Sequence, residues 1–148
     1  MRAAARPAPR GVPNVAGGVR LTVRDARALA ANFHAADALA QTQARRAVAR
    51  FTAAVVRDVQ LNCAYDTGFM SRAAEGRISA SGLTAEQGWW PEVFAAAGLP
   101  YYAPFPELGT ARQAAQPSLY PAVVKYAPRF AADVSAIIRR ATERARRA

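Results

Sequence analysis

From Val23 to Leu61 the chain carries neither Gly nor Pro, and its apolar residues return every three or four positions. Leu29, Phe33, Ala36, Ala40, Ala44, Ala47, Phe51, Val55 and Val59 form one stripe, while Arg24, Asp37, Gln41, Arg45, Arg46 and Arg57 fall largely off it. That period predicts an amphipathic α-helix. Asp25 near its start suits the helix dipole. At about 1.5 Å per residue the helix would run for roughly 55 Å. A helix so long in a small domain is expected to pack along a sheet or against copies of itself.

Asn62 to Gly68 is rich in turn formers and ends this helix. Asp66 or Thr67 is placed to cap a short helix from Phe69 to Ala74. The stretch from Glu75 to Gly109 reads as irregular, with a candidate strand at Arg77–Ser81 and a second short candidate around Leu83–Gln87. Trp89, Trp90, Val93, Phe94, Tyr101, Tyr102 and Phe105 crowd together in this region. Rings of that size bury much area, so they are expected to form the core between a sheet and the long helix. The rival use, stacking on single-stranded nucleic acid, calls for interleaved basic residues. From Gln87 to Thr110 the only charges are Glu92 and Glu107.

The last third returns to helix. Pro117 and Pro121 stand at its entrance, where a missing N–H does no harm. Pro128 is expected to kink or restart it. Phe130, Val134, Ile137, Ile138, Ala141 and Ala145 give an apolar stripe to the end. The order predicts an α+β fold: a long N-terminal helix packed on a small antiparallel sheet with aromatic-rich loops, then a C-terminal helix. The expected organisation is a flexible basic arm over residues 1–22, one domain over 23–140 and a basic tail over 141–148. Pro7, Pro9, Pro13, Gly11, Gly17 and Gly18 in the first segment leave little to bury, which motivates the arm. Its basic residues are not followed by the compact apolar stretch of a secretory signal, and no apolar run is long enough for a membrane span.

Charge adds a partner to this picture. The chain has 148 residues and a formal net charge of +10, almost all from arginine, with Lys125 the single lysine. Such a balance calls for an anionic partner: DNA, acidic protein or lipid headgroups. Arg2, Arg6, Arg10 and Arg20 mark the front, and Arg139, Arg140, Arg144, Arg146 and Arg147 mark the tail. Of these, Arg2, Arg6, Arg10 and the tail arginines are candidate charge contacts with partners or DNA. They are equally solvated termini, with cations well placed at a helix C-terminus.

Candidate chemistry is sparse. Cys63 is the only cysteine and His34 the only histidine, so neither an internal disulfide nor a cysteine-based zinc site is available. His34 lies within the apolar-periodic helix and reads as a packing or surface residue. Asp66-Thr67-Gly68 matches the tripeptide of aspartic proteases, whose chemistry needs two aspartates sharing a proton. Here the tripeptide follows a helix and a polar stretch instead of an apolar strand. No phosphate-binding glycine loop and no credible nucleophile–base pair appears. Asp66, Glu75, Glu86, Glu92 and Glu107 are scattered. The expectation is a protein that is not an enzyme, with no catalytic residues, no metal and no cofactor.

Two segments carry more than composition does. The first is Tyr65-Asp66-Thr67-Gly68-Phe69-Met70. The second runs Tyr101-Tyr102-Ala103-Pro104-Phe105-Pro106-Glu107-Leu108-Gly109-Thr110, then Ala114-Ala115-Gln116-Pro117-Ser118-Leu119-Tyr120-Pro121-Ala122. In this order they resemble a family of bacteriophage tail components, the tail-completion or neck proteins of long-tailed phages with a lambda-like morphogenetic module. That family shows D-T-G before an apolar residue, then Y-A, E-[apolar]-G-T and A-x-P-x-L-x-P-A ahead of a final helix. The resemblance spans about Val23 to Arg140. The chain departs from the pattern at Phe69 and Met70, where a basic residue is usual, and at Ser118, where Phe is common.

The resemblance implies a structural virion protein at the head–tail junction, assembled in the host cytoplasm. It implies a homo-oligomeric ring of about six copies, after the symmetry of the tail tube. The ring would contact adjacent head-connector and tail proteins and let DNA pass through its lumen. A tail terminator or a head-closure subunit is the neighbouring reading, and a basic DNA-binding protein the reading from another class. As structural motif residues it selects Asp66, Thr67, Gly68, Tyr102, Ala103, Glu107, Gly109, Thr110, Gln116, Pro117, Leu119 and Pro121. Gly109 would take the positive φ that ends a helical turn, and Thr110 would bond nearby backbone. Tyr102 and Phe105 would anchor that turn to the core. Glu107 is expected either to pair with an arginine or to sit solvated at the turn.

Overall fold

The computed structural model describes residues 20–22, 38–64 and 67–147. The elements are β1 (Arg20–Thr22), α1 (Ala38–Asn62), α2 (Phe69–Ala73), β2 (Glu75–Ile78), β3 (Ala85–Gly88), α3 (Pro91–Ala96), α4 (Pro104–Leu108) and α5 (Leu119–Arg147). The three strands form one antiparallel sheet in the order β1-β3-β2, with Arg20 opposite Gly88 and Gly76 opposite Gln87. The α+β architecture read from the sequence is the one observed.

Helix α1 carries the expected stripe. Ala40, Ala44, Ala47, Phe51, Val55 and Val59 are all buried. Leu29, Phe33 and Ala36 fall outside the described residues. The stripe works in two halves because its side chains change size. At the Ala40–Ala47 end the small residues let α5 approach closely, and Ile137, Leu83 and Ala141 close that layer. At the Phe51–Val59 end the larger side chains pack with Trp89, Phe94, Leu119 and Ala122. Phe94 is the hub of the second half. It meets Phe69, Tyr101 and Tyr102 edge-on, with ring centroids 5.0, 5.2 and 5.1 Å away. Edge-to-face pairs set the positive rim of one ring against the negative face of another.

The sheet lies under α1 at one tight point. Gln87 on β3 is fully buried and donates from Nε2 to Thr52 Oγ1 of α1 at 3.2 Å. Beside it on β2, a Cβ placed on Gly76 would overlap the Thr52 Cγ2 methyl. Glycine there lets the helix rest on the strand. Gly76→Ala is therefore expected to cost about 1–3 kcal/mol through overpacking. Thr52→Ser, which removes the methyl and keeps the hydroxyl, should recover part of that loss. Denaturation midpoints of the two single variants and the double variant test the coupling.

Several sequence expectations are corrected. The strand placed at Arg77–Ser81 lies two residues earlier, at Glu75–Ile78. Ser79 and Ser81 form the hairpin turn instead. Their hydroxyls bond each other and accept the Thr84 and Leu83 N–H groups, while the Ser79 carbonyl accepts the Gly82 N–H. Serine side chains that bond local backbone favour turns over ladders. The second strand candidate shifts from Leu83–Gln87 to Ala85–Gly88. Arg20–Thr22, read as the end of an arm, pairs with β3 as an edge strand. Residues 1–19, with Arg2, Arg6 and Arg10, lie outside the described residues.

Helix α5 runs on through Pro128 without a restart. The missing hydrogen bond falls on the solvent side, since Pro128 and the carbonyl-bearing residue four positions earlier, Val124, are both exposed. The boundary expected at Arg140 is absent, because the helix continues to Arg147 and Ala141 packs on the core. Ile138 turns outward at 44 % exposure while Ile137 is buried. The stripe read from the sequence thus mixed two faces of this helix.

Candidate functional site

The residues that carry the family resemblance meet where α4 joins α5. Pro104 opens α4 at its first turn, and Gly109 closes it with φ 76° and ψ 172°, a combination open essentially to glycine. A Cβ on Gly109 would sit 2.8 Å from the Ala115 nitrogen and 3.0 Å from the Gln113 carbonyl oxygen. The chain folds back that closely. Thr110 then ties the loop: its N–H donates to the Gln113 carbonyl at 2.8 Å, and its hydroxyl oxygen accepts the Arg112 and Gln113 N–H groups at 3.2 and 3.1 Å. Gln116 returns to α4 by donating its N–H to the Pro106 carbonyl at 2.7 Å.

This fold-back delivers the start of α5 to the side chain of Glu107. Glu107 is buried at 6 % exposure. Its carboxylate accepts the Ser118 N–H at 2.9 and 3.1 Å, the Leu119 N–H at 3.2 Å and the Ser118 hydroxyl. The first N–H groups of a helix lack internal partners, and the helix dipole favours negative charge beside them. Glu107 therefore caps α5 from another segment of the chain. Pro121 has no N–H to satisfy, and Leu119 is buried directly below the cap. Neither an arginine partner nor a solvated turn position, the two expectations for Glu107, describes it.

The remaining motif residues divide. Ala103 is fully buried and Tyr102 packs on Phe94. Phe105 does not anchor the turn, being 55 % exposed on the outer side of α4. Pro117 and Gln116 are exposed. Gly68 is buried at the N-cap of α2, which receives no side-chain cap bond from it; just ahead, Thr67 Oγ1 accepts the Phe69 N–H at 3.4 Å. Asp66 lies outside the described residues. Helix α2 is fixed from elsewhere, because Trp89 Nε1 donates to the Met70 carbonyl at 2.8 Å and Ser71 Oγ donates to the Gln60 carbonyl.

The aromatic stretch is core. Trp89, Trp90 and Phe94 are buried. The arginine that sequence reasoning left unassigned, Arg77, lies over Trp90 at 4.1 Å and ion-pairs with Glu75 and Glu92. It closes the ring face from outside. Ser118 was also missed as a motif residue. The signal was present, a Ser immediately ahead of an apolar helical run, but its partner lies eleven positions away, beyond any local pattern.

Cys63 ends α1 as a buried free thiol. Burial, and then the negative charge of Glu107, push its pKa above the ordinary thiol range. The protonated form is favoured in the fold, so stability falls as pH rises through the thiol range. At about pH 8 Cys63 is expected to react with an aromatic disulfide reagent far more slowly in the native chain than in denaturant. Equal rates would contradict its burial.

Elsewhere, a cleft of about 330 Å³ lies between α1 and α5, with Arg50, Phe51, Arg129, Phe130 and Asp133 on its walls. Arg50 and Asp133 pair across it at 3.1 Å. Among the described residues no group of three or more His, Cys, Asp and Glu side chains gathers to hold a metal ion, and no helix is long and apolar enough to cross a membrane. On α5, Arg139 and Arg140 are exposed. Arg144 is half-buried, and the side chains of Arg146 and Arg147 lie outside the described set. Compared with protein-family models, curated proteins and solved structures, the chain finds no match in any of the three.

Proposed function

We propose that the chain is a structural subunit of the head–tail connector of a long-tailed phage or phage-like particle, a neck or tail-completion protein and not an enzyme. The observation that carries this reading is the joint between α4 and α5. The landmarks behind the family resemblance, Glu107, Gly109, Thr110 and the Gln116–Pro121 stretch, act there on backbone. Their work is to set the direction of a long helix. A motif used that way specifies shape, which supports a role in assembly.

In this reading identical subunits meet through a heterologous interface that closes into a ring of about six. The ring joins head to tail, and DNA passes through its opening. Exposed arginines such as Arg139 and Arg140 supply charge for acidic neighbours or DNA. A tail terminator or head-closure subunit is the same reading at an adjacent layer. The test is deletion of the gene. Filled heads and complete tails should then accumulate unjoined, and the intact chain supplied in trans should restore whole particles. Normal particle yield without the chain would reject the proposal. A steep loss of DNA binding with rising salt in the free protein, together with normal particles, would favour a DNA-binding protein instead.

A further inference from the structure

Arginine gathers along one groove of the fold. Helices α1 and α5 run antiparallel, since Asp58 pairs with Lys125 near one end and Arg50 with Asp133 further along. Arg50 and Arg129 line the cleft between them, and Asp133 is the one carboxylate on its walls. Arg46 and Arg57 stand one turn before and two turns after Arg50, on the same side of α1. The pairing register puts Arg129 between Arg57 and Arg50. Arg140, three turns after Arg129 on the same side of α5, falls beyond Arg46. All five arginines are exposed. Arg46, Arg57, Arg129 and Arg140 make no ion pair with another described residue.

Shape and charge select the occupant. The cleft holds about 330 Å³, too little to seat a helix about 10–12 Å across. Ala53 and Ala54 keep the rim low between Arg50 and Arg57. The rings that line the cleft are engaged within the fold: Phe51 and Phe130 pack on each other with centroids 4.8 Å apart, and Tyr126 bonds Asp58. That leaves no protruding apolar anchor of the kind that holds a protein partner. Guanidiniums on both rims match instead a line of phosphates, which arginine grips with paired N–H groups. From Arg46 to Arg57 is about 16 Å of helix, room for about four or five phosphates of one strand at about 3.4 Å each. We propose that the groove between α1 and α5 is a docking track for the phosphodiester backbone of duplex DNA. The choice of DNA rests on the proposed function, in which DNA passes the subunit. Binding is read on the purified chain, so it can fail while the location in a particle stands, and the reverse.

The test titrates the full chain into a fluorescent mixed-sequence duplex of about two helical turns, from about 50 to 200 mM salt. Anisotropy should report binding that weakens steeply with salt. Arg46→Gln/Arg57→Gln/Arg129→Gln leaves the Arg50–Asp133 pair in place and removes three exposed charges. It should bind at least about tenfold more weakly at the lowest salt, with the log–log salt slope reduced by about three. Its thermal midpoint checks the fold. Arg2→Gln/Arg6→Gln/Arg10→Gln removes the same charge outside the groove and should weaken binding by less than about threefold. Polyglutamate of equal charge should compete poorly. Failure of the intact chain to bind, or equal losses in the two triple variants, would overturn the proposal. So would competition by polyglutamate as strong as by unlabelled duplex, since the groove would then fit an acidic protein.

Discussion

Exchanging Glu107 for leucine lowers the stability of the fold by about 3–5 kcal/mol. The side chain keeps its volume but loses every acceptor. The Ser118 N–H, the Ser118 hydroxyl and the Leu119 N–H then face an apolar group in a buried position. A buried donor without a partner costs about 1–3 kcal/mol. The charge that favours the N-terminus of α5 is lost as well. Glu107→Gln keeps one carbonyl oxygen on the same stem and should cost only about 1–2 kcal/mol. Denaturant midpoints measure both changes, and amide exchange locates them. In Glu107→Leu the first turn of α5 should lose protection before α1 does. A leucine variant with the wild-type midpoint would show that α5 does not depend on this cap.

Trp89→Ala is expected to be as severe, at about 3–5 kcal/mol. The ring is fully buried in the layer with Phe94, Val55 and Leu119. Its removal leaves a cavity that the rigid α1 stripe cannot close, and it also frees the Met70 carbonyl that Trp89 Nε1 engages. Since small domains hold about 5–15 kcal/mol in total, much of the chain should be unfolded at physiological temperature. Phe105→Ala, three residues after Tyr102 of the aromatic cluster but exposed, should change stability by less than about 0.5 kcal/mol. A large effect at Phe105 with a small one at Trp89 would reverse the assignment of the core.

The periodicity of the sequence located α1 and its buried stripe well, because alanine, valine and phenylalanine at helical spacing leave one face for the core. It located the last helix but not its faces. Ile137 and Ile138 are identical to a pattern reading, and only packing against Ala40 and Ala44 decides which of them turns inward. The hairpin was found but slipped by two residues, since Ser79 and Ser81 alternate like strand residues yet bond their own turn. Helices α3 and α4 were missed as elements. Each is a single short turn or two behind a proline, Pro91 and Pro104, and their stability comes from Phe94 and Ala103 in the core.

The joint was legible as a set of residues and illegible as a mechanism. Gly109 and Thr110 behave as their local chemistry dictates. Glu107 does not, because its role depends on a chain reversal that brings Ser118 to it. No local rule predicts that a carboxylate will be dehydrated by a turn it does not belong to. The result also gives Ser118 a purpose: where the resembling family commonly has Phe, the hydroxyl here adds one more bond to the buried carboxylate.

Where the chain resides decides whether it is a neck subunit. Particles would be purified from lysates of the strain that carries the gene, and the chain would be sought in them by mass spectrometry and by antibody labelling under the electron microscope. A neck subunit is expected there in a fixed low copy number per particle, with label confined to the junction of head and tail. Absence from purified particles, with the chain found only in the cell lysate, would contradict it.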